Sequence, residues 1–409
     1  MRLAPLESMN TNTQVARRIP ELDGLRGLAI LLVVFYHYVF SSLKPEDDSL
    51  PAKFIHAVFP LSWSGVDLFF VLSGFLIGGI LMDYRNREHY YKTFYIRRIC
   101  RIFPLYFLWL ALFFVFPILF SAHAYSDWRF KVFLLQIPHF PKWGYALFLQ
   151  NFYTAKTGLP GSSWLGATWS LAVEEQFYLL LPLVICLISP RKFPVVLIFL
   201  ILLVPAFRLF LYLYHPAIFM HGLLPCRADT LLLGVLCAYL VRQEKSRYWL
   251  EKNLERLYLA LTVLLLGMGG LTIFSNGTSY PALFSRFSSL EMISFGYSLI
   301  ALFYSCLLLV VVIGQDGTIA SIMRFSLLRY FGTIAYGVFL MHLAVNDSAH
   351  GLIFGKDSTM ENLSDAVVTS VAFLTTLFLA TISWRFLEKP IIAWGHSFLY
   401  GKYKVGTAK

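Results

Sequence analysis

The sequence predicts an all-α, polytopic membrane bundle of about ten transmembrane helices with both termini in the cytoplasm. Three observations carry that expectation. Of 409 residues, 58% are hydrophobic and only 14% charged, against roughly 25% charged in an ordinary globular protein. The apolar residues gather in long runs, such as 28–40, 65–82 and 102–120. A helix needs about 20 such residues to cross a hydrocarbon core of about 30 Å. Finally, the basic residues fall mainly on alternate connections.

In chain order, spans are expected near residues 27–43, 64–83, 102–120, 170–189, 193–213, 228–241, 257–274, 292–313, 330–346 and 365–386. With the N-terminus inside, 24 of the 34 Lys and Arg residues lie in segments 1–26, 84–101, 190–193, 242–256, 314–329 and 385–409. Cytoplasmic loops collect such residues, and ten spans place both ends there. Segment 121–168 is long for a loop and carries apolar patches such as 145–152, so a re-entrant or interfacial piece is expected within it. No internal repeat or low-complexity tract divides the chain. It is expected to be one membrane domain over 1–409, with a cytoplasmic N-terminal segment at 1–20 and a cytoplasmic tail at 388–409.

Composition also excludes some functions. The formal charge of +11 does not point to nucleic acid, because the basic residues sit at loop ends rather than along one face. Cys100, Cys186, Cys226, Cys237 and Cys306 have no paired spacing and read as small apolar fillers, not as a disulfide or zinc framework. The first 27 residues lack an apolar core, so no cleavable signal peptide is expected. No metal-ligand spacing, phosphate-binding glycine loop or nucleophile elbow is present, and no metal is expected.

The informative residues are polar ones inside spans. Arg26 opens the first span and His37 lies deep within it. Eleven positions make about three helical turns and a rise of about 16 Å, so both project from nearly one face. An Arg snorkelling to lipid phosphates and a His hydrogen-bonded in the bundle would look the same. Ionisable groups at such depth nonetheless point to function. Arg98 and Arg101, three apart at the inner end of the third span, share a helical face, while Arg97 points elsewhere. Guanidinium forks suit phosphate recognition, although basic inner loops are common. Glu174 and Glu175 sit inside the outer end of the fourth span. One of them could orient His37 as carboxylates orient other imidazoles, or simply favour a helix N-terminus. Asp67, the Arg227 and Asp229 pair, and His342 are further polar groups toward outer span ends.

These motifs together resemble the acyltransferase family 3 of integral membrane proteins. The resemblance runs in order through DGLRGLAILLVVFYH (23–37), GVDLFFVLSGFLI (65–77), RRICRIFPLY (97–106), WSLAVEEQFYL (169–179), RADTLLLG (227–234), FGTIAYGVFLMH (331–342) and FLEKP (386–390). Family members often have Ser in place of Ala335 and Tyr in place of Phe339. The chain resembles the stand-alone form, without a following hydrolase-like domain. The resemblance implies transfer of an acyl group, usually acetyl, from cytoplasmic acetyl-CoA to a hydroxyl of a carbohydrate or glycolipid acceptor, such as a cell-surface polysaccharide or lipopolysaccharide, at the bacterial inner membrane. It implies Arg26, Arg98 and Arg101 as donor-binding residues and His37 as essential. Glu174 and Glu175 are expected to assist His37, and Asp67, Arg227 and Asp229 to meet the acceptor. A transporter or flippase using the same His and Glu as a proton relay is the alternative.

Overall fold

The computed structural model describes residues 19–43, 49–124, 140–158, 162–215, 218–275 and 289–403. Among these the regular structure is helical, apart from one antiparallel bridge pairing Arg87 with Tyr403. Nine helices among the described residues are long and apolar enough to cross a membrane. The remaining predicted span, near 257–274, falls on the helix Leu254–Ser275. The expected N-terminal segment and the end of the tail lie largely outside the described residues.

Helix α1 (Pro20–Phe35) begins at a proline, whose missing N–H is no loss in a first turn, and runs into a π-helical turn, Tyr36–Phe40. A short helix α2 (Leu50–Val58) follows, then α3 (Gly65–Tyr84) and α4 (Tyr90–Ala124). Helices α5 (Lys142–Ala146), α6 (Gln150–Thr157) and α7 (Ser163–Gly166) form the connection to α8 (Thr168–Leu187). The chain continues through α9 (Phe193–Tyr214), α10 (Leu224–Arg242), α11 (Glu244–Lys252) and α12 (Leu254–Ser275). It ends with α13 (Tyr297–Ile313), α14 (Thr318–Met323), α15 (Ser326–Phe354), α16 (Leu363–Ser383) and α17 (Lys389–His396).

Many large apolar side chains face outward. On α9 Leu202 and Leu213 are exposed, and on α16 Leu374 and Phe378 are. A helix apolar on its outer face belongs in lipid, where exposure of these side chains costs nothing. Inside, one cluster joins α3, α4, α8 and α10 through Phe70, Leu105, Tyr106, Phe177 and Leu231, and a second joins α1, α3 and α13 through Leu25, Leu68 and Leu308. All five cysteines are free.

Helix α15 lies directly on α1 because both are glycine-faced at the crossing. A Cβ at Gly332 would collide with the backbone carbonyl of Asp23, and one at Gly27 with that of Leu328. Small residues let backbones approach in this way where lipid supplies no hydrophobic drive between helices. Gly332→Val is therefore expected to force the pair apart and cost about 1–3 kcal/mol or more. A fall in thermal unfolding temperature in detergent checks this, and an unchanged midpoint would show that the crossing tolerates the added bulk.

The 140–158 part of the expected interfacial segment packs onto the bundle. Asn151 is fully buried and donates from Nδ2 to the Gly222 carbonyl at 3.1 Å, while Gln176 Nε2 donates to the Phe148 carbonyl at 2.9 Å. Tyr106 donates to the Tyr145 carbonyl at 2.7 Å. These bonds satisfy backbone groups that could not otherwise leave water, so the segment caps one end of the bundle.

Candidate active site

Near the start of α4, little more than one helical turn presents Arg97, Arg98 and Arg101. Arg97 is committed to the tail. Its Nη2 and Nε donate to the Phe398 carbonyl at 2.7 and 3.2 Å, and its guanidinium lies 5.1 Å over the Tyr400 ring. Tyr400 also stacks on Tyr84 at 3.9 Å, and its burial pushes the phenol up to about 12. Arg98 and Arg101 turn the other way and line a cavity. The bonds of Arg97 to the tail are thus what divide it from the two arginines that line the cavity.

The cavity is open on one side and, counted with the solvent at its mouth, spans about 780 Å³. Arg26 of α1 joins Arg98 and Arg101 on its wall, and Ser73 of α3 and Glu174 and Tyr178 of α8 face it. Arg101 lies 5.5 Å from the Trp384 ring centroid. Glu174 accepts from Ser73 Oγ at 3.1 Å and from Tyr178 Oη at 2.8 Å. Tyr178 stands one turn after Glu174, so helix geometry alone aligns that pair. Three guanidinium groups against one carboxylate leave the lining net positive, with Ser170 and Tyr336 among the apolar residues of the walls. Such a chamber holds an anionic ligand with little competition from water.

His37 stands beyond the cavity's far end. Phe69 and Phe339 line that end and meet edge to face at 6.3 Å between centroids. Behind Phe339 lies His342, whose ring is 6.1 Å from that phenyl and 5.1 Å from His37. The π-helical turn carries His37 and leaves its carbonyl to accept from both Ser41 and Ser42 hydroxyls at 3.1 Å. Such wide turns recur at functional sites because they re-aim side chains. Over this end sits α2, with Phe59 just past its end tilted against Phe35 at 4.8 Å and its His56 edge-on to Phe40 at 4.7 Å. Its Leu50, Phe54 and Val58, spaced one turn apart, are exposed along one face, as in a helix lying in a membrane interface.

The residues singled out from sequence thus fall into three places. Arg26, Arg98, Arg101 and Glu174 line one cavity. His37 lies along α1 from Arg26, past the phenylalanines, and no hydrogen bond joins it to Glu174 or Glu175, whose Oε1 is buried without a partner. Asp67, Arg227 and Asp229 are fully buried away from the cavity walls. There Arg227 pairs with Asp67, and Asp229 accepts from Arg208 Nη1 at 2.9 Å and from Ser298 Oγ at 2.6 Å. Sequence reasoning passed over Ser73 and Arg208. Arg208 was legible as a cation inside an apolar span, but nothing in the sequence marks Ser73 among the other small polar residues. Among the described residues no group of three or more His, Cys, Asp or Glu is placed to hold a metal ion.

Comparison with known proteins identifies the family. A family model described as an acyltransferase domain matches residues 19–386. The chain is similar to the peptidoglycan O-acetyltransferase OatA of Listeria monocytogenes serovar 1/2a, with 27% identity over 393 residues, covering 94% of this chain and 57% of that protein. It is similar also to the O-acetyltransferase OatA of Staphylococcus aureus strain NCTC 8325, with 25% identity over 382 residues, covering 92% of this chain and 57% of that protein. The chain therefore spans a little over half the length of these curated relatives. No solved structure matches it.

Proposed function

The chain belongs to the acyltransferase family whose domain it matches, and from that premise we propose that it transfers acetyl from cytoplasmic acetyl-CoA to a hydroxyl of a cell-wall carbohydrate, with peptidoglycan the first acceptor to test. The observation that carries the reading is the cavity walled by Arg26, Arg98 and Arg101. Planar guanidinium forks bind phosphate oxygens in pairs, and coenzyme A is the anionic form in which cells carry activated acetyl groups. The distribution of basic residues supports a cytoplasmic position for this cationic end and for both termini. His37 and α2 then lie toward the outer face, where a cell-wall acceptor resides.

The donor's phosphates are held by the arginines, and its acyl end reaches up toward Phe69 and Phe339. His37 takes the proton of the acceptor hydroxyl as its oxygen attacks the thioester carbonyl carbon. The carbon–sulfur bond then breaks, and the protonated imidazole returns its proton to the departing thiolate. Imidazole suits this exchange because its unperturbed proton affinity lies near neutrality. Glu174, held by Ser73 and Tyr178, offsets part of the positive charge of the chamber.

The test uses purified protein in sealed vesicles, with labelled acetyl-CoA on the cytoplasmic side and peptidoglycan fragments on the other. Ester-linked label on the glycan is the expected result. Movement of glycan across the vesicle without any ester would overturn the reading in favour of transport. In the same assay Arg98→Ala and Arg101→Ala are each expected to raise the KM for acetyl-CoA by about tenfold or more, since a charged hydrogen bond is worth about 1.5–3 kcal/mol. Their kcat should change little, as expected when uniform binding is lost. Lysine at either position should restore only part of the affinity.

A further inference from the structure

We propose that His342 is the positioning partner of His37: its free Nε2 accepts the ring N–H of His37 and so leaves the other nitrogen of His37 bare toward the acceptor hydroxyl. The proposal rests on the transfer reading above for what His37 does, but the pairing itself stands on geometry. His342 is fully buried. Its Nδ1 lies 2.8 Å from the Phe339 carbonyl. A carbonyl only accepts, so Nδ1 carries the hydrogen, and Nε2 of a neutral ring is then an acceptor. That Nε2 is buried and has no hydrogen-bond partner. Buried polar atoms almost always find partners, and one left open calls for a reason.

The reason is the neighbour. The His37 ring lies 5.1 Å from that of His342, centroid to centroid, at an interplanar angle of 49°. The rings as they stand are tilted and share no hydrogen bond, but at that separation a turn of the His37 ring toward His342 brings ring nitrogens within about 2.7–3.2 Å, the reach of one. The surroundings hold His342 still. Tyr38, the residue after His37, donates its hydroxyl to the His342 carbonyl at 2.7 Å and shares a second bond with Thr376 at 2.9 Å. The π-helical turn after α1 therefore supplies both the working imidazole and the clamp on its partner. The carboxylate candidate for this task, Glu174, is already engaged with Ser73 and Tyr178.

The order of bonds is Phe339 carbonyl, His342 Nδ1–H, His342 Nε2, His37 N–H, and the bare nitrogen of His37. When that nitrogen takes the hydroxyl proton, His37 becomes a cation, and its bond to Nε2 becomes charge-assisted and roughly twice as strong. The bond is therefore worth more in the transition state than before it. That is the condition for raising kcat rather than lowering KM. No net proton leaves the pair, because His37 hands its proton to the thiolate.

Two readouts test this. Nitrogen NMR of protein labelled in histidine, with His37→Asn used to assign the His37 signals, should find one His37 tautomer in the wild type and a mixture in His342→Phe. Kinetics should find kcat reduced by about 10–100-fold in His342→Phe, by analogy with the loss on removing a group that orients a metal-bound imidazole. KM for donor and acceptor should be unchanged, and His342→Gln, whose side-chain oxygen can accept, should regain part of the rate. His342→Leu serves the same comparison if the phenyl ring disturbs folding. An unchanged His37 tautomer in both apolar variants would overturn the pairing. If the wild type forms no ester, the transfer reading falls, while the tautomer comparison still decides the pairing.

Discussion

Replacing His37 with alanine is expected to lower kcat for acetyl transfer by about 10²–10⁴-fold, the range contributed by a positioned general base. The donor KM should stay near the wild-type value. The arginine-walled chamber is built from other residues and lies past Phe69 and Phe339 from the imidazole. Folding should also persist. The hydroxyls of Ser41 and Ser42 bond the backbone carbonyl of His37, which alanine retains. The imidazole is half-buried rather than sealed, so its loss opens little cavity. Initial rates at equal protein level, together with mass spectrometry of cell-wall glycans, measure the effect. A variant with wild-type kcat would remove His37 as the base. Incubation with labelled acetyl-CoA without acceptor adds a second distinction. Label retained on the wild-type protein and absent from His37→Ala would mean that the imidazole carries the acetyl group itself.

Much of this layout was legible in the sequence, and the failures have physical causes. Span positions followed from apolar runs because lipid tolerates little else. Two starts were nonetheless read late. Helix α4 begins at Tyr90 rather than near 102, because Arg97, Arg98 and Arg101 stand on the helix beneath its apolar stretch. Helix α1 begins at Pro20 rather than near 27, because its polar first turns are buried against protein, with Glu21 accepting from Arg324 at 2.8 Å. Hydropathy detects contact with lipid and is blind to polar turns that other helices cover. The arginines of the cavity could be grouped from helical spacing, since three and four residues apart means one face. The partner of His37 could not. His342 lies 305 positions further along the chain, and only the close crossing of α1 and α15 at Gly27 and Gly332 brings the two rings together. Glu174 and Glu175 were plausible partners by charge alone, but the α8 register gives Glu174 to Ser73 and Tyr178 instead.

Arg227→Leu is expected to destabilise the protein by about 3–5 kcal/mol, the cost of leaving one member of a buried ion pair without the other. Arg227 and Asp67 are both fully buried and join α10 to α3. The guanidinium also lies 4.5 Å over the Tyr297 ring and 5.6 Å from that of Phe70, so its loss removes contacts with α13 as well. Nearby, Arg208 bonds Asp229, Ser298 and the carbonyls of Ile293 and Cys226, tying α9 into the same region. Leucine at 227 would abandon the Asp67 carboxylate in an apolar interior, where it must take up a proton or draw in water. The double variant Asp67→Leu with Arg227→Leu removes both charges and should recover much of the loss, since apolar replacement of a whole buried pair is often close to neutral. Thermal unfolding in detergent, run on both single variants and the double, gives the coupling between them. The same proteins decide between two roles for these residues. If they meet the acceptor carbohydrate, Arg227→Leu raises the acceptor KM at unchanged stability, and the double variant is no better. If they hold the helices that shape the site, stability falls with the single change and returns with the second, and acceptor KM follows the amount of folded protein rather than the charge. The sealing of both side chains from the cavity and from solvent favours the second outcome.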